Sequence, residues 1–145
     1  MVPLALSHLA VRWLHVLGMA LALGGALLAW ASLRLDLPTS AALAVAAAYE
    51  RLFWAAMGLL VMTGVGNLGA LAPSIPGGEW SETFSLKLFL VGLVLLGSLV
   101  RSLLVVDARR TSADTLETVS LRRAYAATSV FLGLILVLAE VLAHG

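Results

Sequence analysis

The chain has no cysteine and little charge: lysine, arginine, aspartate and glutamate make up 12% of its 145 residues. Soluble domains carry about 25%. Without cysteine there is neither a disulfide framework nor a thiolate metal site. A net charge of +1 offers no electrostatic footprint for nucleic acid. No nucleophile triad or phosphate loop is present, and the length leaves no room for a soluble catalytic domain. What fills the chain is hydrocarbon, since 61% of its residues are hydrophobic.

A bilayer span needs about 20 apolar residues, and this chain has room for four spans and little else. The apolar runs lie at about 8–33, 52–72, 86–106 and 124–143. They lack strand alternation, and helices satisfy their own backbone in lipid. The expected fold is all-α, a single domain over residues 1–145 forming a four-transmembrane-helix bundle of up-down topology. Ala29-Trp30-Ala31 has the form of a signal cleavage site. Only Arg12 precedes the apolar run as a basic residue, however, and Trp13 to Leu33 is long for a signal segment. The first run is therefore expected to be a true span.

The connections carry their own signals. Pro38-Thr39-Ser40 predicts the start of a long second helix. The segment APSIPGGEWSETFS, with two prolines and a glycine pair, predicts a loop that ends in a cap at Ser81 or Ser85. Ser112 to Asp114 predicts the start of the fourth helix. Arg34, Arg51, Arg109, Arg110, Arg122 and Arg123 cluster around the first and third connections, whereas the opposite side has Arg12 and Lys87. By the positive-inside rule those connections are cytoplasmic and both termini lie outside. The expected location is the cell (inner) membrane, multi-pass. Trp13 and Trp80 fall at the outer interface and Trp30 and Trp54 at the inner one, in agreement with that orientation.

Ionisable groups inside spans are costly and mark candidate sites. His8, Arg12, His15 and Met19 recur at helical spacing, continued by Ala22 and Ala26, so they share one helix face. The fourth span carries Ser129, Gly133, Glu140 and His144, the last two one turn apart. The third offers Lys87, Val91, Val94, Ser98 and then Arg101 or Ser102, and the second Thr63 and Asn67. His8, Arg12, His15, Asn67, Lys87, Glu140 and His144 all fall in the outer half, which points to an outward-facing polar site. His8 and Arg12 reach water, and Glu140 is placed to neutralise Lys87 or Arg12. His15 lies deeper than Trp13 and its short side chain cannot snorkel. Glycines scattered through the spans suit close helix packing.

Imidazole with thioether suits copper, and imidazole alone suits heme iron among other metals. His15 and Met19 are one turn apart and are the first-choice metal ligands, supported by His8 or His144. Arg12, Asn67 and Glu140 are supporting polar groups. His8 and His15 are two turns, about 10 Å, apart on one face, so they cannot be the two axial ligands of a heme. A heme would take a second ligand from another helix, Lys87 or His144.

Residues 12–30, RWLHVLGMALALGGALLAW, resemble the first helix of copper-resistance D (CopD-like) membrane domains, with their Trp-x-x-His-like element and glycine pair. MTGVGNL and LKLFLVGLVLLGSLVR resemble that family's threonine-glycine turn and lysine-leucine helix. The resemblance covers most of the chain and implies copper uptake or homeostasis, with His15, Gly24, Gly25, Thr63, Gly64 and Lys87 as matching positions. The chain is also similar to HemJ-type membrane proteins, which implies heme b with His15 and Lys87 as the cofactor-binding counterparts. The Asn-Glu-x-Pro-like element of that group is absent here.

The leading expectation is thus copper handling without catalysis. The alternative is a heme-b membrane oxidoreductase, and a third reading is an accessory subunit of a larger membrane complex. The partners expected are the lipid bilayer and either a homo-oligomer or such a complex.

Overall fold

A computed structural model describes residues 2–35, 37–69, 74, 77–111 and 115–144. It contains four helices: α1 (Val2–Ser32), α2 (Thr39–Gly69), α3 (Glu79–Thr111) and α4 (Thr115–His144). All four are long and apolar enough to cross a membrane. The chain is a multi-pass membrane protein of all-α fold.

Each helix has 30 to 33 residues, about 45–50 Å at 1.5 Å per residue. That exceeds the hydrocarbon thickness of about 30 Å. The apolar runs therefore mark only the lipid-embedded part of each helix. The helices continue past them because charged residues at the interface still close the same backbone hydrogen bonds.

The start of α2 is where Pro38-Thr39-Ser40 places it, with the Pro38 carbonyl accepting from the amides of Ala41 and Ala42 at 2.9 and 3.1 Å. The start of α3 differs from the sequence reading. Ser81 and Ser85 do not cap it but lie inside it, the Ser85 hydroxyl donating to the Ser81 carbonyl at 2.8 Å. Gly78, at φ 63°, ends the connection and its carbonyl accepts from the Glu82 amide at 3.2 Å. Glu79 and Glu82 then occupy the first turn, where carboxylates favour the positive end of the helix dipole. Residues 70–72, Pro73, Pro76 and the Ser112–Asp114 segment lie outside the described residues.

Consecutive helices pack together and α4 closes back onto α1, with α2 and α3 the loosest neighbours. Successive helices run antiparallel, so that His15 of α1 meets Thr63 of α2 near one end of the bundle, while Arg34, Arg109 and Arg110 lie at the helix ends of the other. Small residues set the α1/α2 contact. Ala22, Ala26 and Ala29 of α1 and Ala46 of α2 are fully buried, and Ala42 and Ala56 of α2 nearly so. A Cβ on Gly25 would come 2.6 Å from the Tyr49 ring, and one on Gly18 3.1 Å from Leu60. Close packing thus accounts for these two glycines. It does not account for Gly24, Gly58, Gly92, Gly97 or Gly133, where an added Cβ meets nothing within 4 Å. Trp13, Val16, Leu28, Met62, Phe89, Leu103 and Val130 are exposed, an apolar surface suited to lipid.

Candidate functional site

The stripe on α1 divides along its length. His8 and Arg12 are exposed, His15 and Met19 are half-buried, and Ala22 and Ala26 are fully enclosed. His15 Nδ1 lies 2.8 Å from the Thr63 hydroxyl oxygen of α2. That hydroxyl is also 2.7 Å from the Leu59 carbonyl oxygen. A carbonyl only accepts, so the Thr63 proton is directed there and its oxygen accepts from His15 Nδ1–H. This assigns the tautomer: Nδ1 carries the proton, and Nε2 keeps a free lone pair. Gly64 sits beside the ring, where a Cβ would be 3.7 Å from His15 Cε1. Lys87 of α3 stands within electrostatic range of His15, and Asn67 is half-buried one turn beyond Thr63.

The remaining histidines do not join this group. His144 pairs with Glu140 on its own helix at 3.2 Å, and both side chains are 73% exposed. Glu140 therefore neutralises neither Lys87 nor Arg12. Among the described residues, no three His, Asp or Glu side chains converge on a point where one metal ion would sit. Met19 lies one turn from His15 on the same helix face, and Lys87 belongs to α3.

A second polar centre lies toward the arginine-rich end. Glu50 of α2 and Arg101 of α3 are both buried, with Arg101 Nε donating to Glu50 Oε1 at 2.8 Å and Nη2 to Oε2 at 3.2 Å. Tyr125 of α4 donates to Oε1 at 2.7 Å, and Ser102 donates to Oε2. The Ser102 oxygen in turn accepts from Trp54 Nε1 at 3.0 Å, and Arg101 Nη1 donates to Thr128 at 2.6 Å. The guanidinium carbon lies 4.6 Å from the Phe53 ring centre, 5.1 Å from Tyr125 and 5.3 Å from Tyr49. Tyr49 of α2 brings in α1 by donating to the Ala22 carbonyl at 2.8 Å. Charge, hydrogen bonds and aromatic faces are all partnered, as a buried ion pair requires. One unit of contacts thus joins all four helices.

The sequence reading placed Arg101 on the polar stripe of α3 but missed this centre. The signal that finds it is YERLFW, an acidic residue amid aromatics in a helix that begins at Thr39.

The fold and its two polar centres define a small four-helix integral membrane protein. No family model, no curated protein and no solved structure matches the chain.

Proposed function

We propose that the protein handles a transition metal, copper in the leading reading, through His15. The observation that supports this is the hydrogen bond from His15 Nδ1–H to Thr63. It orients the ring and leaves Nε2 free, the arrangement that metal-binding histidines use. Met19 supplies a thioether on the same face, a donor that suits copper. A second reading, heme b, draws on Lys87, which lies on a different helix from His15 and would supply the second ligand. In either case this chain's part is to hold the imidazole in one tautomer and shield it within the bundle.

Purification in mild detergent, with metal quantification and a visible spectrum, tests both. Copper at one equivalent, lost in a folded His15→Ala variant, supports the first reading. A Soret band that His15→Ala removes supports the second and overturns the first. If neither copper nor hemin binds on reconstitution, both fail and an accessory packing role stands in their place.

A further inference from the structure

The looser contact between α2 and α3 opens a groove of about 690 Å³ toward the arginine-rich end of the bundle. One face of each helix lines it. Ala47, Trp54, Val105 and Val106 form apolar walls, while Glu50 and Ser102 lie at its floor. Arg51, Arg109 and Arg110 also line it, and Arg109 lies two turns beyond Ser102, about 10 Å along the axis. The floor is neutral because Glu50 is matched by Arg101. The three arginines are exposed. Among the described residues none of them has a carboxylate within ion-pair distance. Asp107 is one turn before Arg110 and makes no such pair.

A general bias of arginine toward one side of the membrane explains basic connections. It does not explain why arginines from two helices, with no carboxylate partner among the described residues, line one apolar-walled groove, with Arg51 set at the depth of Glu50. Arg34, by contrast, lies over the Trp30 ring at 4.8 Å. The groove combines anion-binding guanidinium groups, which grip phosphate bidentately, with apolar walls. A free anion would use only the first. A molecule with a phosphate at one end and hydrocarbon at the other uses both, and basic pockets between membrane helices bind such headgroups.

We infer that the α2/α3 groove is a binding site for an acidic glycerophospholipid. Its phosphate sits among Arg51, Arg109 and Arg110, and its chains lie along the apolar walls. The site is at the opposite end of the bundle from His15 and does not depend on the metal reading.

Native mass spectrometry of the full chain in mild detergent, supplied with equal phosphatidylglycerol and phosphatidylcholine, tests the inference. Phosphatidylglycerol should be retained at one equivalent, at least tenfold over phosphatidylcholine. Arg109→Gln with Arg110→Gln should abolish that preference, while Arg122→Gln with Arg123→Gln, an equal loss of charge outside the groove, should keep it. Phosphatidylglycerol should raise the unfolding midpoint of the wild type and the control but not of the groove variant. Equal retention of the two lipids overturns the site, as does an equal effect of the two double variants. Displacement of the lipid by excess inorganic phosphate overturns the lipid in favour of a simple anion.

Discussion

Arg101 of α3 meets Glu50 of α2 at 2.8 Å, with the arginine side chain 1% exposed and the glutamate 10%. The pair is surrounded by aromatic rings and further hydrogen bonds from α3 and α4. Its energetic meaning is asymmetric. Two charges taken out of water lose about as much hydration as they regain by pairing, but one charge left alone inside loses its hydration with nothing in return.

Removing one partner should therefore destabilise the protein by about 3 to 5 kcal/mol. Arg101→Met and Glu50→Leu should each lower the unfolding midpoint in detergent sharply. The double variant should recover more than half of the loss, because no unpaired charge remains. Singles and double falling to the same midpoint would show that shape, not charge, is what the pair contributes.

Gly24 and Gly25 are adjacent in sequence and opposite in surroundings. A Cβ on Gly25 strikes the Tyr49 ring at 2.6 Å, whereas one on Gly24 meets nothing within 4 Å. The ring cannot swing aside cheaply, because its hydroxyl is tied to the Ala22 carbonyl. Gly25→Ala should cost about 1 to 3 kcal/mol, the usual range for overpacking. Gly24→Ala should be neutral, or stabilising by up to about 1 kcal/mol through helix propensity. Thermal unfolding of the two variants side by side checks this, and equal midpoints would contradict the α1/α2 geometry.

What was legible in the sequence follows from which properties are local. The four helices were readable because each apolar run is long enough to stand out by itself. His15 was readable as the deeper histidine because depth follows from position along one helix. The Glu50–Arg101 pair depends on the register between two helices, which no single segment encodes. Counting apolar residues also started the second membrane span at residue 52, which left Glu50 outside the span, although it lies within the long helix that begins at Thr39. The same limit hid His144: spacing placed it one turn from Glu140, but not on an exposed face away from His15.

The Thr63 hydroxyl holds His15 through Nδ1, so that under the copper reading it would act on the ligand and not on the metal itself. Losing a group that hydrogen-bonds a metal-ligating histidine typically changes affinity by about 10- to 100-fold. Under the copper reading, Thr63→Val should weaken copper binding by that factor, while Thr63→Ser, which keeps the hydroxyl, should stay near wild type. Competition with a chelator of known affinity reads the difference. Because valine preserves shape, a loss with Val and retention with Ser isolates the hydrogen bond. Equal affinities would show that His15 needs no orienting partner.

The placement of both termini outside rests on arginine asymmetry, and the lack of cysteine makes it directly measurable. Leu35, in the α1–α2 connection, and Ser74, in the α2–α3 connection, are both exposed. They lie at opposite ends of the bundle. With single cysteines there, a membrane-impermeant maleimide should label Ser74→Cys in intact cells, and Leu35→Cys only after the membrane is opened. The reverse pattern would put the His15 end inside and the α2/α3 groove in the outer leaflet. Either result fixes which compartment would supply a metal to His15 and which leaflet would supply a lipid to Arg51, Arg109 and Arg110, because the two sites occupy opposite ends of one bundle.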